Sequence, residues 1–179
     1  MAVSQFNLST GQRAERKLLI TVAEWNESIG TTTTGTTPVR EILGTRTEDS
    51  SIEYNADIET TTDIRGNNYT DLNKTQPQQD FDPYLILGGS KLGAKLNDIR
   101  RRNAVSELNQ FTIYIITAFV GTTGAYEAEK HTDCTIVYNS IGGDTKVNFP
   151  ISVYLSNKIT TGTVNKLSDD FEFTADASV

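Results

Sequence analysis

The chain has 179 residues, one cysteine and a formal charge of -7 at neutral pH, with a pI near 4.7. That length fits one domain able to bury roughly 70% of the surface its unfolded form exposes, and a single cysteine excludes an internal disulfide or a multi-cysteine metal site. The acidic balance argues against a protein that holds nucleic acid by neutralising phosphates, because such proteins carry a basic face.

Residues 1–12 are expected as a flexible arm. They lack the basic-then-apolar run of a signal peptide, and no stretch of the chain approaches the roughly 18 apolar residues of a membrane span, so a soluble protein with no membrane partner is expected. RKLLITVAEW, Arg16 to Trp25, is the first predicted strand. Residues 27–38, rich in Gly, Thr and Pro, are predicted as a long loop before an apolar stop at Val39, Ile42 and Leu43.

SIEYNADIET, Ser51 to Thr60, alternates strictly and predicts one half-buried strand. Ile52, Tyr54, Ala56 and Ile58 are expected to pack on the core, leaving Glu53, Asp57 and Glu59 as an acidic ladder outside. Residues 66–83, GNNYTDLNKTQPQQDFDP, have almost no apolar content and predict a long surface loop, a length usually associated with function or disorder.

The period then changes. In GGSKLGAKLNDIRRR, Ser90 is a predicted N-cap, and Leu92, Leu96 and Ile99 have helical spacing, which predicts one amphipathic helix from Ser90 to Asn103. Further strands are read at Gln110 to Gly121, at DCTIVYN, at KVNFPISVYLSN and at DDFEFTAD. Pro150 implies an edge strand or a bulge. The expected architecture is mainly β: a single-domain sandwich or barrel with one flanking helix.

A search for chemistry returns little. His131, the one histidine, reads as a solvated loop residue, and Cys134 as a small buried thiol opening a strand. Asp57 and Glu59 stand about 7 Å apart on one strand face, which is compatible with an acid/base pair. Three acids along one exposed face, Glu53, Asp57 and Glu59, are more simply a solvated surface. DLNKTQ and DIRGNN supply oxygen ligands without the spacing of a calcium loop. Arg100, Arg101 and Arg102 diverge by about 100° per residue on a helix, and Asp98 lies one turn before Arg102, which favours an intrahelical ion pair over a phosphate site. No catalytic residue, cofactor or metal is expected.

The order TTPVREILGTRTEDSSIEYNADIETTTDIRG, then GGSKLGAKLNDIRRR, then IGGDTKVNFPISVYLSNKITTGTV and FEFTAD resembles the major tail proteins of tailed bacteriophages, the tail-tube family. The likeness runs from about Thr37 to Asp176 and consists of strand, turn and loop patterns. It implies a tail-tube-like domain, six subunits to a ring, and rings stacked into a hollow tube that conducts DNA during ejection. Expected partners are further copies of the chain and other tail proteins such as the terminator, tape measure and baseplate or tip components, within a virion assembled in the host cytoplasm. DNA would pass without specific binding.

On that resemblance Glu53, Asp57 and Glu59 face the lumen, and six copies of a -7 subunit give a ring of about -42, which repels phosphates. Asn67, Asn68, Tyr69, Asp71, Asn73, Lys74, Gln76, Gln78, Gln79 and Asp80 would form an inter-ring loop. Two alternatives remain. The tube protein of a phage-tail-derived secretion or bacteriocin-like particle shares the fold and the ring. A β-sandwich surface or carbohydrate-binding module would need exposed aromatic platforms, and the one tryptophan, Trp25, falls in a predicted strand.

Overall fold

The computed structural model of the protein describes residues 6–28, 36–47 and 49–177. In chain order they form β1 (Leu19–Ser28), β2 (Thr36–Ile42), β3 (Ile52–Glu53), β4 (Asp57–Thr62), β5 (Asn68–Lys74), β6 (Gln78–Phe81), α1 (Lys91–Arg102), β7 (Phe111–Thr122), β8 (Ala125–Tyr138), β9 (Ile151–Tyr154), β10 (Ile159–Val164) and β11 (Phe173–Ala175). All pairings between these strands are antiparallel. The mainly β sandwich with one helix is the architecture expected from the sequence.

β8 is the organising strand. Residues Tyr126 to His131 pair with β10, and Thr135 to Tyr138 pair with β9. Between the two stretches Asp133 adopts a left-handed φ of 58°. An irregularity of this kind bends a strand and lets it pass from one sheet to another. One sheet therefore runs β2-β1-β7-β8-β10-β11 and the other β8-β9-β6-β3.

β7 explains why its sequence, FTIYIITAFV, is apolar without alternation: both of its faces are covered. Ile113 and Ile115 enter the main core with Trp25, Phe81, Ile136, Ile151 and Val153. Tyr114 and Ile116 enter a second cluster with Val22, Ala128 and Val164, roofed by Phe171 from the C-terminal segment. The helix closes the main core through Leu92, Leu96 and Ile99, all fully buried. Its start is capped as the sequence predicts, Gly93 N donating to Ser90 Oγ at 3.1 Å, and Asn103 ends it with φ 54°. Asp98 and Arg102 make the expected i,i+4 pair at 2.7 Å, and Arg102 also reaches Glu107.

Several expectations are corrected. Strands β1 and β2 extend into the predicted 27–38 loop and pair from Val22↔Ile42 to Ser28↔Thr36. Residues 29–35 lie outside the described residues, as do residues 1–5 of the expected arm. At the beginning of the described chain, Asn7 N donates to Phe119 O and the Phe6 ring contacts Phe119. The predicted 66–83 loop contains two strands: the threonine, tyrosine and leucine of β5 suit a pleated ribbon even without a core beneath them, and Phe81 anchors β6 in the main core. Pro150 is not on an edge strand. It precedes β9, which lies between β8 and β6, and at that position its missing N–H costs no ladder bond while its carbonyl accepts Asn139 N. His131 is buried inside β8, not solvated in a turn. Cys134 is a free buried thiol, as read, but it lies within β8 and does not open a strand.

Phe149, Ile151 and Val153 are fully buried, so Ile151→Asp places an unpaired charge in the main core. It should cost several kcal/mol of the roughly 5 to 15 available and sharply reduce soluble yield. Urea unfolding checks this, and an unchanged midpoint would remove β9 from the core.

Candidate functional site

The acidic ladder does not form one strand. β3 ends at Glu53, Asn55 takes φ 41°, and the chain restarts as β4. At this root the outgoing and returning chains are tied together, with Gln76 N donating to Tyr54 O at 3.0 Å and Asn55 Nδ2 to Gln76 O at 3.2 Å. Beyond it β4 and β5 form their own two-stranded sheet, in which every residue is exposed. The expected core face is therefore wrong: Tyr54 is 60% and Ile58 59% exposed, and only Ile52 packs against the core. Six strand residues carry this arm on the order of 20 Å.

The register divides the arm into two unlike faces. Opposite residues share a face, and the pairs Ile58↔Leu72, Thr60↔Thr70 and Thr62↔Asn68 make one that is uncharged. Glu59↔Asp71 and Thr61↔Tyr69, with Asp57 opposite Lys74, make the other, which is acidic. Ile58 and Leu72 are directly opposed and both about 60% exposed.

The tip is built by one carboxylate. Asp63 Oδ1 accepts the backbone N–H groups of Arg65 and Asn67, both at 2.8 Å, and Oδ2 accepts Asn67 Nδ2 at 3.0 Å and the Tyr69 hydroxyl at 3.1 Å. Gly66, at φ 81°, provides the left-handed turn. The donors from Asn67 lead in holding the Asp63 carboxyl below its ordinary value of 3.8. This ordered turn presents Ile64 wholly to solvent.

The predicted site residues thus separate. Asp57 and Glu59 sit together on the arm's acidic face with Asp71, a residue read as part of the inter-ring loop. Glu53 is exposed on β3, at the edge of the β8-β9-β6-β3 sheet. Asn67 is at the tip; Asn68, Tyr69, Asp71, Asn73 and Lys74 lie along β5, and Gln76 at the root. Gln78, Gln79 and Asp80 belong to β6, between β9 and β3, and cannot act as one loop with the others. Gln79 is 1% exposed and accepts the Thr21 hydroxyl at 2.8 Å, because alternation along β6 turns it inward with Phe81. The arm had a signal in the sequence: DIETTT and NYTDLNK are β-prone runs joined by the five residues Asp63 to Asn67, which include a glycine.

Elsewhere, several charged groups are tied into the fold. Glu41 on β2 accepts the backbone N–H groups of Lys91 and Leu92 at 2.6 and 2.9 Å, and the hydroxyls of Ser90 and Tyr84. It thereby satisfies the helix N-terminus from a neighbouring element. Glu107 is pushed down to about 2, chiefly by Arg102 and then by Lys95, both of which hydrogen-bond it. Among the described residues no three His, Cys, Asp or Glu side chains stand close enough to hold a metal. Among them, too, no helix is long and apolar enough to cross a membrane.

No family model matches the sequence, and no curated protein matches it. Among solved structures, the chain is similar to one from a cryo-EM structure of the anti-feeding prophage baseplate, 6-fold symmetrised. The TM-score is 0.47 at 11% identity, over 86% of this chain and 97% of that one. At that level the likeness carries no functional weight.

Asp63→Ala should free the Arg65 and Asn67 amides and raise their hydrogen exchange while leaving the global unfolding midpoint unchanged. Because the folded value of Asp63 is depressed, its hold on the tip is present above about pH 3.8 and is lost as pH falls further. Exchange measured by NMR at several pH values checks both the site and the direction.

Proposed function

We propose that the chain is the structural subunit of a phage tail tube, six copies closing into a ring and rings stacking into a channel for DNA. The observation that carries this reading is the arm of residues 57–74, a two-stranded ribbon exposed on both faces, with Ile58, Leu72 and Ile64 in solvent. A two-stranded hairpin is marginal in water without a surface to rest on, and clustered exposed apolar groups mark contact sites. A neighbouring copy supplies that surface in an assembly. The sequence pattern that resembles tail-tube proteins points the same way.

In this reading the uncharged face meets a neighbouring subunit and the acidic face remains wet. Asp57, Glu59 and Asp71 then contribute to a bore of the same sign as DNA, which keeps the duplex from adhering as it slides. Other tail components would meet the ends of the tube.

The test follows from the root. Since Tyr54 and Gln76 are already hydrogen-bonded, residues 57–74 can be replaced by a short Gly/Ser linker without touching either core. The variant should give the circular dichroism of a folded domain and lose rings and tubes in negative-stain images, while the intact chain forms six-fold rings. Tubes that assemble without the arm, or an intact chain that remains a monomer at all concentrations, would overturn the reading.

Charge reversal tests the bore separately. Asp57→Lys with Glu59→Lys adds about +24 over six copies and should leave folding intact, both sites being exposed. Particles carrying it should release DNA more slowly, with a defect that shrinks as salt shortens the Debye length from about 10 Å at 0.1 M. Release at two ionic strengths, beside a Ser-substituted control, is the measurement, and wild-type release at low salt would exclude this face from the channel.

A further inference from the structure

Both ring nitrogens of His131 face oxygen. Nδ1 lies 2.9 Å from the Ser156 carbonyl and Nε2 3.4 Å from Glu129 Oε2, while the side chain is 3% exposed. A carbonyl and an ionised carboxylate only accept hydrogen bonds, and a neutral imidazole has a single N–H. A neutral ring would turn one lone pair towards an oxygen, whereas an imidazolium satisfies both contacts.

The contact to Ser156 belongs to a compact clasp between the bend of β8 and the turn linking β9 to β10. Ser156 donates its hydroxyl to the Thr132 carbonyl and its N–H to Cys134 Sγ at 3.4 Å. Thr132 N donates back to Lys158 O at 3.1 Å, Lys158 N to Ser156 Oγ at 3.2 Å, and Lys158 Nζ pairs with Asp133. We propose that His131 is held in the fold as an imidazolium and acts as a pH-set latch: loss of the Nε2 proton turns a lone pair towards the Glu129 carboxylate and weakens the charge-assisted Nδ1–H bond to the Ser156 carbonyl that helps fasten the 156–158 turn to the β8 bend.

The surroundings leave His131 as the group that switches near neutrality. Ile113 on β7 and Ile159 on β10, its cross-strand partners, bring no charge. Lys130 lies over the Tyr114 ring. Burial pushes the Cys134 thiol above its ordinary 9.0, and pairing with Asp133 raises Lys158 from 10.5. For His131, burial acts downward, but the hydrogen bonds to Glu129 and to the Ser156 carbonyl prevail and lift it above 6.5; Glu129 is correspondingly lowered, chiefly by His131. The stabilisation is therefore complete below about pH 6.5 and is lost as pH rises through the folded value. The turn also walls a cleft of about 410 Å³ against Asn55 and Gln76 at the root of the arm. Loosening of the latch thus acts on a wall shared with the base of that arm.

Since the chain has one histidine, its Cε1–H resonance reports the ring without ambiguity. NMR titration of the intact chain should give a midpoint above 6.5, with amide protection factors at Thr132, Ser156 and Lys158 falling over the same range. Glu129→Gln, a change at an exposed position that does not enter the core, should move both transitions together to lower pH. A midpoint at or below 6.5, or turn protection that stays level while the ring titrates, would overturn the proposal.

Discussion

The fold depends on one strand serving two sheets. β8 follows β7 along one stretch, carries β10 beside His131 and earlier residues, and after the left-handed Asp133 carries β9. Without that bend, β9, β6 and β3 would continue the first sheet as a flat extension and the main core would have no second wall. The same constraint gives the molecule two cores. Successive residues of β7 point to opposite sides, so Ile113 and Ile115 serve the inter-sheet core while Tyr114 and Ile116 serve the one beneath the C-terminal segment.

β2 shows the same economy with charge. Arg40 and Glu41 are neighbours and so project to opposite sides of their strand. Glu41 holds the helix N-terminus through the Lys91 and Leu92 amides. Arg40 pairs with Glu24 at 2.6 Å, donates to the Phe171 carbonyl, and lies 4.2 Å from the Phe171 ring centroid. Two consecutive side chains on the outermost strand thus fasten the coverings of both cores. The Arg40–Glu24 pair is largely shielded from water, where such a pair is worth more than a surface salt bridge.

Local patterns in the sequence carried much of the architecture. The helix, its Ser90 cap and the Asp98 to Arg102 pair follow from spacing alone. What depended on contacts distant in sequence was not legible. His131 lies in a polar run, and only the crossing of β7, β10 and the 156–158 turn buries it. Gln79 looked like loop surface because its inward direction is set by β6 pairing with β9. The alternation from Ile52 to Glu59 was real, but periodicity shows that a ribbon has two faces without showing what, if anything, lies against either one. Asn55 broke the ribbon, and its positive φ leaves no periodic trace.

The arm's root makes it a cassette. Its two strands enter and leave the domain at adjacent points, so its length is decoupled from the packing of either core. Length and facing are not decoupled from each other, however. Adding one residue to each strand would advance the tip by roughly 3.3 Å and also rotate Ile64 and the Asp63 turn to the opposite side relative to the root, whereas adding two to each would restore the facing. Reach in such an arm can therefore change without inversion only in steps of roughly 7 Å, a quantisation imposed by the pleat.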